Sequence, residues 1–168
     1  FVAKATGSKH VCLLFLNIDG EDFEVLSYLP KSKANPFRSL RLSRQNAIVK
    51  YLKQEKKLLT KESLTTLPDF RSLRERATLK IDSDKIELVI PVISRNRLIG
   101  ILVLGEKRSD KYSREDYNLL HSITNYVAVS LEKEYLREQL SQQKEELSVI
   151  NRSSVIMASS LDIQQIFD

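Results

Sequence analysis

The chain has no tryptophan, one cysteine, one methionine, four glycines and four prolines in 168 residues. Each scarcity removes a class of protein. A single cysteine, Cys12, excludes an intrachain disulfide and every cysteine-based metal spacing, and it points to a reducing, cytoplasmic setting. The two histidines, His10 and His121, are far apart in sequence and form no His-x-x-x-His pair, so no metal centre is expected. His121 is followed by Ser122, not by an acid, which removes the acid-followed pattern of a kinase phosphoacceptor. The glycines stand singly, so there is neither a phosphate-cradling loop nor a dinucleotide fingerprint. No apolar run approaches the roughly 18 residues of a membrane span. The chain opens in mid-pattern at Phe1 without an initiator Met or a secretory leader, which gives the expectation of a piece of a longer protein, whose own anchor would lie elsewhere.

Charge is present but uneven. The net charge is +5, and between Lys31 and Lys57 nine Lys or Arg residues face Glu55 alone. Such a belt reads first as a solvated helix face. As an alternative of another class it would serve a nucleic-acid-binding regulator. Aromatic residues do not alternate with these bases as a single-strand platform needs, so no nucleic-acid partner is expected.

The richest stretch is Ile86 to Leu140. Two strands, Ile86–Ile93 and Leu98–Gly105, flank a tip at Arg95-Asn96. Both are apolar on both faces, with Leu98, Gly100, Leu102 and Leu104 expected on one side and Ile99, Ile101, Val103 and Gly105 on the other. A hairpin open to water on one face would alternate apolar and polar, so structure must cover this sheet on both sides. Upstream, Phe1–Gly7 reads as a helix tail stopped by Gly7. Val11–Leu16 and Phe23–Leu29 read as a hairpin across Asp19-Gly20. Ser43 is the expected cap of a helix over Arg44–Gln54 with Ala47, Ile48, Tyr51 and Leu52 as its stripe. Leu58-Leu59 suggests a short strand. Pro68 opens a segment with Phe70, Leu73 and Ala77 facing inward, and Asp82-Ser83-Asp84 reads as a turn.

Ser113 and Asp116 form a Ser-x-x-acid capping box. The helix behind it is expected to run to about Ile150, on the order of 55 Å at 1.5 Å per residue. Leu120, Ile123, Val127 and Leu131 make its first stripe. Leu136, Leu140, Leu147 and Ile150, with Gln143 in register, repeat in steps of 4, 3, 4 and 3, the spacing of a heptad seam. The first stripe is expected on the sheet and the second on a second copy of the chain. Asn151–Asp168 reads as a new beginning, with a capped helix start at Ser159-Ser160-Leu161-Asp162.

The run Ile90-Pro91-Val92-Ile93, the strand Leu98 to Gly105 with Glu106-Lys107, the motif Tyr112-Ser113-Arg114-Glu115-Asp116 and the helix Leu119 to Glu132 resemble a GAF domain. The resemblance is dense from Ile86 to Leu136 and diffuse before it. It implies an α+β fold, a GAF/PAS-like central antiparallel sheet with helices on both sides and a long C-terminal signalling helix. The division implied is a sensory domain over 1–135, a helical linker over 136–150 and the start of a following module over 151–168. The family setting implied is a non-catalytic sensory domain of a bacterial signal transducer, a sensor histidine kinase first and a diguanylate cyclase or cyclic-di-GMP phosphodiesterase as the alternative. Partners implied are a second copy through the C-terminal helix and a downstream output domain.

Family ligands lie between the sheet and the middle segment, which here brings Arg44, Ile48, Tyr51, Phe70 and Leu73 into consideration for an unidentified small molecule. Cyclic-nucleotide-binding members carry Asn-Lys…Phe-x-x-x-Asp-Glu. Lys107, Tyr112 and Asp116 match three of its places, whereas Glu106 and Tyr117 depart from it. A structural Lys107–Asp116 ion pair is therefore implied without the nucleotide. Bilin attachment and sulfoxide-reductase chemistry need reactive thiols, and Cys12 sits alone in an apolar strand. No cofactor is implied.

Overall fold

The apolar strands pair into one antiparallel sheet. The computed structural model describes residues 2–17, 19–66, 85–109 and 111–166, and side chains as far as residue 154. Among the described residues the strands are β1 (Val11–Leu16), β2 (Asp22–Leu29), β3 (Arg41–Ser43), β4 (Leu59–Thr60), β5 (Ile86–Ser94) and β6 (Arg97–Gly105), in the order β3-β2-β1-β6-β5-β4. The helices are α1 (Val2–Thr6), α2 (Ala47–Glu55), α3 (Lys61–Thr66) and α4 (Arg114–Ile166). The contacts divide the chain into two compact units, Phe1–Leu131 and Glu132–Asp168.

In the first unit the sheet is covered on both faces. One face carries Cys12, Leu14, Phe23, Ile101 and Val103 against Ile48, Val49 and Leu52 of α2. The other carries Val11, Leu88, Ile90, Val92, Leu102 and Leu104 against Leu120, Ala128 and Leu131 of α4, with Val2 and Ala3 of α1 alongside. Each fully buried aliphatic side chain contributes roughly 1.5–3 kcal/mol relative to exposure, which is why two-faced strands demand two layers.

Simple alternation fails at one place in β6. The β5–β6 register runs Val92↔Gly100 and then Ile93↔Leu98, leaving Ile99 as an extra residue. Leu98 consequently joins Ile101 and Val103, and Ile99 joins the Leu102 and Leu104 face, the reverse of the expected assignment for that pair. The same device acts twice more. Leu26 is the extra residue between Val25 and Ser27 in β2 and is exposed, and Glu87 is the extra residue in β5. Pro91 is tolerated because β4 pairs only with Leu88 and Val89, so among the described residues β5 has no strand neighbour on that side beyond them.

Gly100 faces α4 because nothing larger fits. A methyl group there would stand 2.9 Å from the Leu14 carbonyl oxygen and 3.2 Å from Leu131 Cδ1. The Arg95-Asn96 tip has φ of 44° and 69°, the left-handed pair of a two-residue hairpin. Gly7 (φ 69°) ends α1.

Two further expectations are corrected, and one helix was not expected. The cap of α2 is Asn46, whose side chain accepts from the Ile48 N–H at 2.9 Å, because Ser43 is used by β3, paired with Asp22. α3, at Lys61–Thr66, has no apolar stripe and was not visible as a helix. α4 continues to Ile166, past Ile150 and through Ser159–Asp162, because no proline or glycine interrupts Asn151–Ile166. Pro68, Phe70, Leu73, Ala77 and Asp82–Asp84 lie outside the described residues.

Candidate functional site

The end of β6 is tied to the start of α4 by charge and hydrogen bonds. Lys107 Nζ donates to Asp116 Oδ2 at 2.5 Å, with both side chains largely buried. The same oxygen accepts from the Ser113 N–H at 2.7 Å, and the Asp116 N–H is bonded to Ser113 Oγ at 3.2 Å, a reciprocal capping box with Asp in place of Glu. Burial pushes the Asp116 carboxyl upward, but the Lys107 and Ser113 hydrogen bonds outweigh it and hold the group below its ordinary range. The Tyr112 hydroxyl donates to the Gly105 carbonyl oxygen at 2.6 Å and lies 2.8 Å from Ser8 Oγ, which is itself 2.5 Å from Thr6 Oγ1. Burial lifts the Tyr112 phenol to about 12, so it stays a neutral donor. The loop after α1, the end of β6 and the entry to α4 are thus one network.

Beside it lies a cleft of about 490 Å³ bounded by α3, β5 and the entry to α4. Leu88 and the rings of Tyr112 and Tyr117 supply apolar wall, and Lys61, Glu87 and Lys107 supply charge. Lys61 and Glu87 pair at 2.8 Å. Charges of both signs on an apolar wall suit a small polar molecule carrying both signs more than a plain anion. Sequence reasoning missed Glu87, Lys61 and Tyr117. The available signal was Glu87, the one charged side chain inside an otherwise apolar strand.

The residues considered for a ligand are only partly gathered. Ile48 is buried in the α2-side core and Tyr51 packs against that cluster. Arg44 precedes α2 and is exposed, with Nη1 donating to the Gly20 carbonyl at 3.2 Å. Phe70 and Leu73 fall outside the described residues. Cys12 is buried, and burial lifts its thiol to about 12, far from thiolate chemistry at neutral pH. His10 packs edge-on against Phe37 and is held below its ordinary pKa by burial and by the Lys85 and Lys9 charges. Among the described residues no group of three or more His, Cys, Asp or Glu is placed to hold a metal, and no helix is long and apolar enough to cross a membrane. Part of the basic belt is paired, since Arg41 bonds Asp22 and Glu24, while Lys31 keeps its charge over the Tyr28 ring at 4.4 Å.

In the second unit Leu136, Leu140, Leu147 and Ile150 are each between 46% and 60% exposed, and none of them is buried by the described residues. Large apolar side chains repeated at heptad spacing without cover are unusual on a monomer surface.

No curated protein matches the chain. Solved structures do. The GAF domain of an Acinetobacter phosphoenolpyruvate-protein phosphotransferase is 17% identical, with a TM-score of 0.57, over 79% of this chain and 76% of its own. Residues 122 to 287 of a methyl-accepting chemotaxis protein are 15% identical, with a TM-score of 0.58, over 80% of this chain and 83% of theirs. The GAF domain of a Bacillus halodurans two-component sensor histidine kinase is 18% identical, with a TM-score of 0.54, over 80% and 88%. At these identities the likeness is one of fold. The sequence profile of the GAF domain matches residues 1–133, most of the chain, and this protein therefore belongs to the GAF domain family.

Proposed function

We propose that this GAF domain is the sensory and relay module of a sensor histidine kinase, working as a dimer through Leu136, Leu140, Leu147 and Ile150. GAF domains are regulatory rather than catalytic modules in general, and the output chemistry would lie in a following domain of the same chain. The observation that carries the reading is the double use of α4. It covers one face of the sheet, with Leu131 against Gly100, and it also bears an exposed leucine seam. A small molecule bound on the α2 side, beside Tyr51, would favour one packing of the sheet on α4. It can shift that balance only by its difference in affinity between the two packings. The kinase setting draws on a fold likeness to the Bacillus halodurans domain, and the chemotaxis likeness favours signal relay equally.

The test compares the sedimentation mass of this chain with that of a chain ending at Leu131. A dimer that becomes a monomer on truncation is the expected result, and two monomers at high concentration would overturn the proposal. Native mass spectrometry of protein purified from its source cells reads the ligand directly. A retained small molecule lost in Tyr51→Ala is expected.

A further inference from the structure

The cleft beside the β6–α4 tie lies within the first unit, on the sheet face away from α2. Its Leu88 belongs to the face covered by α1 and α4, and Tyr112 and Tyr117 pack against that cluster, whereas Ile48 and Tyr51 belong to the opposite face. Lys61, Lys107 and Lys111 line it together with Glu62, Glu87 and Glu106, so the wall is highly charged yet balanced in sign. Glu87 is there because of a bulge. Ile86 is buried on the α2 side and Leu88 on the other, so β5 changes phase between them and Glu87 drops out of the ladder. A bulge re-aims a side chain, and this one sends an acid out of an apolar strand to meet Lys61 of α3. Glu87 Oε1 accepts from Lys61 Nζ at 2.8 Å, and Oε2 has no hydrogen-bond partner among the described residues. Burial lifts the Tyr117 phenol above its ordinary pKa, and the Glu62, Asp116 and Glu87 charges add to the rise, so three carboxylates converge on one ring. A tyrosine ring set among acids attracts an ammonium group.

We propose that this cleft binds a free α-amino acid with an apolar side chain, its ammonium on Glu87 and its carboxylate on Lys61. The Lys61–Glu87 pair sets a cation and an anion side by side on a partly apolar wall. An α-amino acid carries its own two charges on one carbon, also side by side, so it lies against the pair head to tail with each charge facing its opposite. An ionised carboxylate has about four acceptor sites, so Glu87 serves Lys61 and the ligand together. A plain anion or cation would meet the like-charged member of the pair. A molecule with widely separated charges would satisfy only one member. The ligand side chain runs along Leu88 and the Tyr112 and Tyr117 rings. The volume of about 490 Å³ falls in the ordinary range of small-molecule sites, roughly 300–1,000 Å³. Because α3, β5 and the entry to α4 share the wall, an occupied cleft braces α4 where Lys107 and Asp116 already hold it. Such a site is independent of the leucine seam and of a ligand beside Tyr51.

The experiment follows the thermal midpoint of the full chain with L-leucine and L-phenylalanine as probes, then measures Kd by calorimetry for each probe that raises it. At least one is expected to raise the midpoint, as a ligand of the folded state does by mass action. Its decarboxylated and deaminated counterparts, isoamylamine and isocaproate or phenethylamine and hydrocinnamate, are expected to bind at least about tenfold more weakly. The same loss is expected for ε-aminocaproate, whose charges stand far apart. Glu87→Gln and Lys61→Met are each expected to weaken Kd roughly tenfold or more. Each is read well below the variant's own midpoint, so lost stability is not counted as lost binding. Tyr51→Ala is expected to leave Kd unchanged. If neither probe raises the midpoint, if an amine or an acid alone binds as well as the amino acid, or if Glu87→Gln leaves Kd unchanged, the assignment is overturned. Binding that survives Glu87→Gln and is lost in Tyr51→Ala places the ligand on the α2 side, which overturns this cleft and leaves the α2-side reading standing.

Discussion

Leucines in the two parts of α4 meet opposite fates. Leu120 and Leu131 are buried under the sheet, whereas Leu136, Leu140 and Leu147 are exposed. Residue type and helix propensity are the same in both parts, so neither explains the difference. Spacing does. From Leu131 to Leu136 the step is five residues, which turns the helix through about 140° beyond a full turn. The stripe that served the sheet ends, and the leucines that follow belong to a different register. The lesson is that an apolar residue acquires its role from the phase of its neighbours. A seam that no described residue buries is the ground on which a second chain is proposed.

The largest test of that contrast is Leu131→Ala. It removes a buried side chain packed on Gly100 and should cost about 3 kcal/mol in the urea-unfolding free energy of the first unit, at any protein concentration. A loss below about 1 kcal/mol would mean that this part of α4 is not held to the sheet as argued. Gly100→Ala tests the same contact from the other side. The added methyl meets a backbone carbonyl at 2.9 Å, which cannot swing away as a side-chain tip could, so β1 and β6 must separate or α4 must lift. The expected cost is about 2 kcal/mol. A neutral or stabilising result would show that the close approach is dispensable.

Much of this was legible in sequence. β1 was bounded to the residue, because six apolar residues between a polar stretch and a turn allow no other reading. The two covered faces followed from β6, which leaves no polar side for water. What sequence did not disclose has a common cause. The extra residues Leu26, Glu87 and Ile99 shift which face a side chain takes, and a bulge leaves the apolar pattern intact while changing its phase. β3 and α3 are too short to show a period. The cap of α2 was misplaced because Ser43 and Asn46 are both good caps, and only the pairing of Ser43 with Asp22 decides between them. Of the candidate residues, Lys107 and Asp116 meet in space because a capping box fixes the acid at the helix start. Arg44 is separated from Ile48 and Tyr51 because it lies before the helix rather than on it.

The tie between β6 and α4 gives a pH signature that the seam lacks. Asp116 has a carboxyl held below its ordinary range in the folded state, so its contribution is fully present above the unfolded aspartate pKa of about 3.9 and is lost as pH falls through the folded value. Asp116→Asn keeps much of the capping geometry and removes the charge opposite Lys107. It should cost about 1 kcal/mol near neutral pH, with the gap to wild type closing as the solution is taken below about pH 4. A gap that stays constant down to acid pH would assign the effect to the cap alone.

The smallest expected effect on folding is also the sharpest for the comparison. Leu140→Ala removes as many atoms as Leu131→Ala, from a side chain that is 53% exposed. Measured below the dimer constant, where the second strand is absent, the mutation should change the unfolding free energy of the first unit by less than about 0.5 kcal/mol. Measured well above it, the loss should grow with protein concentration, because unfolding then also costs the association that Leu140 supports. The two leucines, nine positions apart, would differ in whether their cost depends on concentration. If Leu140→Ala and Leu131→Ala behaved alike at every concentration, α4 would be one uniform packing element, and a seam reserved for a second copy would have no physical basis.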